Sequence, residues 1–197
     1  MSISKQKLRQ QLRTARNAIP SPQRDVAANN LSNMAQALTY YDSSQNIALY
    51  WPHDDEINPL PLLKDSLALH KNCFLPVLLV DPQQKLAFAS YTPTTPLVKN
   101  RYGILEPELG FAQMIELVAL DIIFVPVVAF DTHGRRLGRG GGFYDATFAQ
   151  LQHSHLETWP KLVGLAYSCQ NVATVPADIW DWQLDAIVTE SEVFYCK

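Results

Sequence analysis

Glycine is scarce in this chain of 197 residues: there are eight, and five of them fall between residues 134 and 145. Elsewhere there is no glycine-rich or low-complexity stretch and no internal repeat, so a single domain over residues 1–197 is expected. Cysteine is rarer still. Cys73, Cys169 and Cys196 show no CxxC spacing, and an odd count of this kind fits reduced thiols in a cytoplasm. No Cys/His spacing suits zinc, and the histidines form no HExxH. No apolar run approaches the roughly 20 residues needed to span a bilayer. The N-terminus has no apolar core of a secretory signal, so a cytoplasmic location without a membrane partner is expected. Positive charge is not in excess either. A net charge of -3 argues against a general nucleic-acid binder. The absence of GxSxG argues against a serine-hydrolase elbow. Neither GxxxxGK[ST] nor a clean GxGxxG is present.

What is present is a globular balance, 47% apolar and 18% charged. Charge is unevenly placed. Lys5, Lys7, Arg9, Arg13, Arg16 and Arg24 precede the first acid, Asp25. "SKQKLRQQLRTARNAI" predicts a helix with Ser4 as N-cap and an apolar face of Leu8, Leu12, Ala15 and Ile19, stopped by Pro20. A second helix is expected from Ser21 as N-cap, with Pro22 at the first helical position. "NIALYW", "NCFLPVLLV" (bent at Pro76), "KLAFASY" (an edge), "LDIIFVPVVAF", "KLVGLAY" and "DAIVTE" read as strands. "PLPLLKDSLALHK", "FAQMIELVA" and residues 142–153 read as helices, and residues 91–110 as loop. "QHSHLETWP" reads as a surface connection, with His153 and His155 facing solvent. Strands alternating with helices predict an α/β fold around a mostly parallel sheet.

The stretch "GRRLGRGGGFYD", residues 134–145, follows the strongest predicted strand and opens a helix. That arrangement suits an anion. Glycine lets the backbone approach closely, free N–H groups at the helix start point outward, and Arg135, Arg136 and Arg139 supply charge for phosphate oxygens. A flexible turn with solvated arginines is the plainer alternative. Asp145 either complements the helix dipole or holds magnesium, a hard cation that takes oxygen ligands. The basic first helix either presents a solvated face or sends Lys5 and Arg9 to the same phosphates. In "WPHDDEIN", Asp54, Asp55 and Glu56 either cap the next helix or accept hydrogen bonds from a ring bearing amino groups. Tyr50 and Trp51 either stack on such a ring or pack. Among Asp178, Asp181 and Asp185, one is a candidate to face the phosphates through a metal.

"VPVVAFDTHGRRLGRGGGFYD" closely resembles the signature of the 5-formyltetrahydrofolate cyclo-ligase family, P-x-x-A-F-D followed by G-x-R-L-G-x-G-x-G-[FY]-Y-D. "KQKLR", "DDEIN", "RYGILEP", "KLVGLAYSCQ" and "VPADIWDWQLDAIVTE" are similar to further family segments in the same order, covering residues 5 to 190. The resemblance implies a three-layer α/β/α domain related to the sugar-phosphate isomerase and CoA-transferase group. It implies ATP- and magnesium-dependent conversion of 5-formyltetrahydrofolate to 5,10-methenyltetrahydrofolate, with release of ADP and phosphate, by a monomer acting on small molecules. Lys5, Gln6, Lys7, Leu8 and Arg9 would contact ATP. Arg136, Leu137, Gly138, Arg139, Gly140, Gly141, Gly142, Phe143 and Tyr144 would wrap its phosphates. Asp145 and Asp181 would hold magnesium. Trp51 and Glu56 would meet the folate, and Tyr144 would lie near the formyl group. Arg139, Tyr144 and Asp145 would be catalytic. One departure stands out: Gly141 occupies a position where many members carry lysine, and Arg139 is expected to compensate.

Two other functions fit the same residues. A sugar-phosphate isomerase would need no ATP and would use Glu56 or Asp131 as base. A non-catalytic binder would hold folate or nucleotide for a partner; the presence of Asp145, Asp181 and Arg139 speaks against it.

Overall fold

In the computed structural model, which describes residues 4–79, 84–151, 159–178 and 181–196, helix α1 runs over Lys5–Asn17. Ser4 caps it as expected, its hydroxyl accepting from the Lys7 amide. The buried residues are Leu8, Leu12 and Arg16. Four-residue spacing puts them on one face, so an arginine takes the place expected for Ala15. Helix α2 spans Ser21–Gln36, with Pro20 rather than Ser21 at the cap position and no side-chain cap bond. Helix α3 spans Leu60–Ala68.

The main sheet has eight strands. In chain order these are β1 Asn46–Ala48, β2 Asn72–Leu78, β3 Leu86–Tyr91, β6 Met114–Ile115, β7 Ile122–Pro126, β10 Lys161–Leu165, β11 Ala186–Val188 and β12 Val193–Tyr195. Their spatial order is β12-β11-β10-β7-β1-β2-β3-β6. The five central strands are parallel; β12, β3 and β6 join antiparallel at the edges. Two small hairpins lie outside the sheet, β4 Leu97–Lys99 with β5 Leu105–Pro107, and β8 Ala129–Phe130 with β9 Arg136–Leu137. Pro76 does not interrupt β2. The Phe74 carbonyl accepts from Leu49, just past β1, so Pro76, two residues on, turns its missing N–H toward an edge that β1 no longer covers.

Alternation along β7 separates two cores. Ile122 and Phe124 join one with Leu31, Ala35, Leu62 and Leu63 of α2 and α3. Ile123 and Val125 join the other with Phe130, Phe148 and Leu151. Helices therefore cover both faces, the second through α4, Phe143–Phe148. Helix α1 lies over neither face. Leu8 and Leu12 pack on Val128, Ala129, Leu137 and Val175, which sets the basic helix over the β8–β9 hairpin.

Four further sequence readings are corrected. "LDIIFVPVVAF" is not one strand but β7 and β8, broken after Pro126. "FAQMIELVA" is not an α-helix; it supplies β6 and a 3-10 turn over Leu117–Ala119, because pairing with β3 overrides its helical pattern. Residues 91–110 contain the β4–β5 hairpin, and "KLAFASY" is covered by β6 at its outer edge. The readings for residues 152–158, including His153 and His155, lie outside the described residues.

One buried cation holds the connection between α2 and β1. Lys71, 7% exposed, donates to the carbonyls of Tyr41 at 2.9 Å, Asp42 at 3.2 Å and Ser44 at 2.6 Å. Lys71→Met would take the donor from the Asp42 and Ser44 carbonyls and leave the Tyr41 carbonyl with only the Ser44 amide, at 3.2 Å. Roughly 3 kcal/mol of stability should be lost, and the melting temperature should fall by about 6–12 °C. A circular-dichroism melt checks this, and an unchanged melting point would refute it.

Candidate active site

The chain leaves β1 toward β2 on one side and leaves β7 toward β10 on the other. Crossovers diverging from adjacent strands open a crevice beyond their carboxyl ends. A cavity of about 830 Å³ lies there. Tyr50 and Trp51, directly after β1, and Pro126, the last residue of β7, line it. Lys5 and Arg9 of α1, the glycine loop, and Asn100, Tyr102 and Ile104 of the β4–β5 hairpin complete the wall.

The break after β7 builds the loop side. Gln170, fully buried, donates its amide to the carbonyls of Val127 at 2.5 Å and Val128 at 2.9 Å. These bonds replace the ladder that a continuous strand would have made. Asp131, also fully buried, then closes the β8–β9 hairpin. It accepts from the His133 amide at 3.0 Å, the Arg135 guanidinium at 2.7 Å and the Val175 amide at 2.9 Å. Asp131 is committed to the turn and does not line the cavity, which removes one of the two bases an isomerase would have used. Gly134 is required by space. Its φ is +80°, and a Cβ there would stand 2.6 Å from the Leu184 carbonyl oxygen.

Cations and acids converge at one end. Lys5 Nζ lies 2.7 Å from Asp178 and 3.0 Å from Asp181. The Asp178 bond, more than burial opposes, raises the Lys5 pKa. Arg9 donates to the Gly138 carbonyl at 2.8 Å, and its guanidinium carbon lies 3.5 Å from where a Cβ on Gly140 would stand. Arg136 is buried. It bonds Asp145 at 2.5 Å and the Trp182 carbonyl, and lies 5.7 Å over the Phe148 ring. Helix α4 is only six residues long, so its dipole is small. Positive charge at this end therefore comes from the side chains of Lys5, Arg9 and Arg136 rather than from a helix dipole.

The other end is aromatic around one acid. Glu56 is 9% exposed and accepts from the His53 amide at 3.1 Å. Burial, opposed by Arg139 and the His53 bond, pushes its pKa up to about 7. Trp51 meets Tyr91 edge-on at 6.2 Å, and Phe143 meets Tyr102 edge-on at 5.7 Å. Beneath, Arg16 and Asp55 form a buried two-bond pair at 3.0 and 3.1 Å. It fastens α1 to the turn that carries Glu56. Tyr144 is pushed well above the usual tyrosine range by burial, and packs on Phe148 at 5.7 Å.

A family model described as the 5-formyltetrahydrofolate cyclo-ligase family matches residues 1–190. The chain belongs to this family. It is 38% identical over 177 residues to the 5-formyltetrahydrofolate cyclo-ligase of Haemophilus influenzae, covering 90% of this chain and 92% of that one. It is 40% identical over 151 residues to that of Escherichia coli, covering 77% and 81%. The solution structure of Aquifex aeolicus 5,10-methenyltetrahydrofolate synthetase superposes with a TM-score of 0.81 at 30% identity, over 99% of this chain and 94% of that one.

Within this cyclo-ligase fold the residues singled out in the sequence fall unevenly. Lys5, Arg9, Trp51, Glu56, Asp181 and the whole run Arg136–Asp145 line the cavity. Gln6, Lys7 and Leu8 do not; Leu8 is buried beneath α1 and the other two face solvent. Arg139 turns away from the loop to Asp54, at 2.5 Å, and toward Glu56, at 3.6 Å. Gly141 has a local reason: a Cβ there would meet the Phe143 ring at 2.8 Å. A lysine at 141 would need that ring to leave Tyr102. The cavity also takes lining residues that the sequence does not single out, among them His53, Leu78, Asn100, Tyr102 and Ile104. Asn100, Tyr102 and Ile104 belong to or flank the "RYGILEP" segment, which the family resemblance marked without giving it a role. Asp178 was grouped with Asp181 but not as a partner of Lys5.

Proposed function

We propose that this chain converts 5-formyltetrahydrofolate to 5,10-methenyltetrahydrofolate at the expense of ATP, releasing ADP and phosphate. The observation that carries this reading is one continuous cavity with a cation-lined glycine loop at one end and a buried acid among aromatic rings at the other. Such a space suits two substrates that must meet, a polyphosphate and a flat ring system. The relatives' names supply the folate and its formyl group.

The chemistry needs little from protein nucleophiles. A formamide oxygen is a poor leaving group. Transfer of the γ-phosphoryl group onto that oxygen gives an iminium phosphate. The folate 10-nitrogen then attacks the former formyl carbon, the C–O bond breaks, and phosphate departs with the N–H proton lost to solvent. The protein must align the two reactants and offset transferring charge. Lys5, Arg9 and Arg139 would contact phosphate oxygens, with Arg136 fixing the loop. Glu56 would accept N–H donors from the pterin, Trp51 would pack on it, and Tyr144 would lie beside the formyl group.

The carboxylates fit a magnesium site. Asp145 takes both its contacts on Oδ1, from Arg136 and the Trp182 amide. Asp181 takes both of its own on Oδ2, from Lys5 and the Asp178 amide. Among the described residues each carboxylate thus keeps one oxygen without a hydrogen bond. No cluster of three or more ligating side chains is found among the described residues. One or two carboxylates plus phosphate oxygens are the usual protein share for magnesium. When bound, the ion would neutralise charge on the β- and γ-phosphates. Asp145→Asn should raise the magnesium concentration for half-maximal rate by roughly 10-fold or more. A magnesium titration checks this, and an unaltered midpoint would remove Asp145 as a ligand.

The decisive test is the near-ultraviolet absorbance of the methenyl product. The purified protein receives 5-formyltetrahydrofolate and magnesium, with and without ATP. A rise only with ATP is expected; none in either case, with the protein folded, would defeat the reading.

A further inference from the structure

Arg139 joins the two ends of the cavity. Its Nη2 lies 2.5 Å from Asp54 Oδ2 and its Nη1 lies 3.6 Å from Glu56 Oε1. A phosphate oxygen at the glycine loop would claim the same donors. We propose that Asp54 is a positioning residue that holds Arg139 between the two subsites, so that filling the folate end tightens nucleotide binding. This rests on the functional reading above and specifies how its two substrates communicate.

The sign of the coupling follows from burial. The Glu56 side chain is only 6% exposed, so losing a cation beside it is costly. A ring that brings N–H donors to Glu56 compensates that loss and lets Arg139 go. Asp54 is different. Its side chain is 36% exposed, and it keeps Arg13 at 3.8 Å when Arg139 leaves. The Asp54–Arg139 pair is therefore exchangeable, since partly exposed ion pairs are weak. Asp54 has a φ of +53°, a backbone state uncommon outside glycine, asparagine and aspartate. An aspartate tolerates that backbone state, and its carboxylate meets the Arg139 guanidinium there. Coupling of this kind is reciprocal, so nucleotide must tighten folate by the same factor.

The test is isothermal titration of a non-hydrolysable ATP analogue with magnesium, in the presence and absence of saturating 5-formyltetrahydrofolate. Wild type is compared with Asp54→Asn and Asp54→Gly, both of which accept a positive φ. In wild type, folate should tighten the analogue by roughly 5- to 10-fold. In both variants the analogue alone should bind about 3- to 5-fold more tightly than to wild type, and the gain from folate should shrink to about 2-fold. An unchanged analogue affinity with an undiminished folate gain would overturn the proposal, even if the melting temperature fell. If wild type binds neither ligand, the functional reading itself fails, and this coupling with it.

Discussion

Arg136→Met should lower kcat/KM by roughly 10²- to 10³-fold and the melting temperature by about 5–10 °C. Arg136 sits near the start of the glycine loop sequence, in β9, yet its side chain is only 5% exposed. It is tied to Asp145 and to the Trp182 carbonyl and covers the Phe148 ring. These contacts join the loop to α4 and to the segment bearing Asp181. Removing the guanidinium would leave the Trp182 carbonyl unmet and take from Asp145 its only cation among the described residues. Asp145 is 34% exposed and can recover water, so the stability loss should be near 2–3 kcal/mol rather than the 3–5 of a fully buried pair. Activity should suffer more, because both proposed magnesium carboxylates would shift. Arg136→Lys separates the two effects. A lysine restores charge but not the two-direction fork, so most of the melting point should return while most of the activity does not. Rates must be taken well below the lowered melting temperature. A loss of activity in Arg136→Met of only a few-fold would sink this account.

Glu56→Gln should act in opposite directions on binding and on stability. A buried carboxylate accepting from ring N–H groups contributes about 1.5–3 kcal/mol per charge-assisted bond, so the folate KM should rise roughly 10- to 100-fold with the ATP KM little changed. The free protein should behave otherwise. Burial raises the folded-state pKa of Glu56 to about 7 from a reference of 4.5. Between those values the folded state holds a proton the unfolded chain has released. Stability from this group is complete below about pH 4.5 and is lost as pH rises through about 7. The full span is on the order of 3 kcal/mol. Glutamine does not titrate. The variant should therefore melt higher relative to wild type at pH 8 than at pH 5, by several degrees. Parallel melting profiles across that range would show that Glu56 is not held near neutrality. Equal losses in both substrate KM values would point to a misfolded site.

Much of the fold could be read in the chain because the central strands are short, apolar and separated by helical spacing. The glycine loop was also legible, since its glycines and arginines have few cheap uses elsewhere. Periodicity failed where distant partners decide the local form. Val127 to Phe130 look like more of β7, but Gln170, some forty residues on, takes the Val127 and Val128 carbonyls and bends the segment away. "FAQMIELVA" has a helical pattern and becomes β6 because β3 offers it an open edge. The ion pairs of the site were out of reach for the same reason. Lys5 and Asp178 are 173 positions apart, and Arg139 and Asp54 are 85 apart. Sequence spacing shows which charges exist, and only packing shows that Arg139 faces Asp54 rather than the loop that bears it.

The packing of α1 over the β8–β9 hairpin has a consequence for how the protein comes into being. Lys5 and Arg9 meet Asp178, Asp181 and the glycine loop only after α1 docks on Ala129, Leu137 and Val175. Helix α1 therefore reaches its partners in two steps along the chain: Arg9 needs Gly138, and Lys5 needs Asp178 and Asp181, some forty residues further on. On the function proposed above, the phosphate subsite is complete only once the segment bearing Asp178 and Asp181 has packed beside α1.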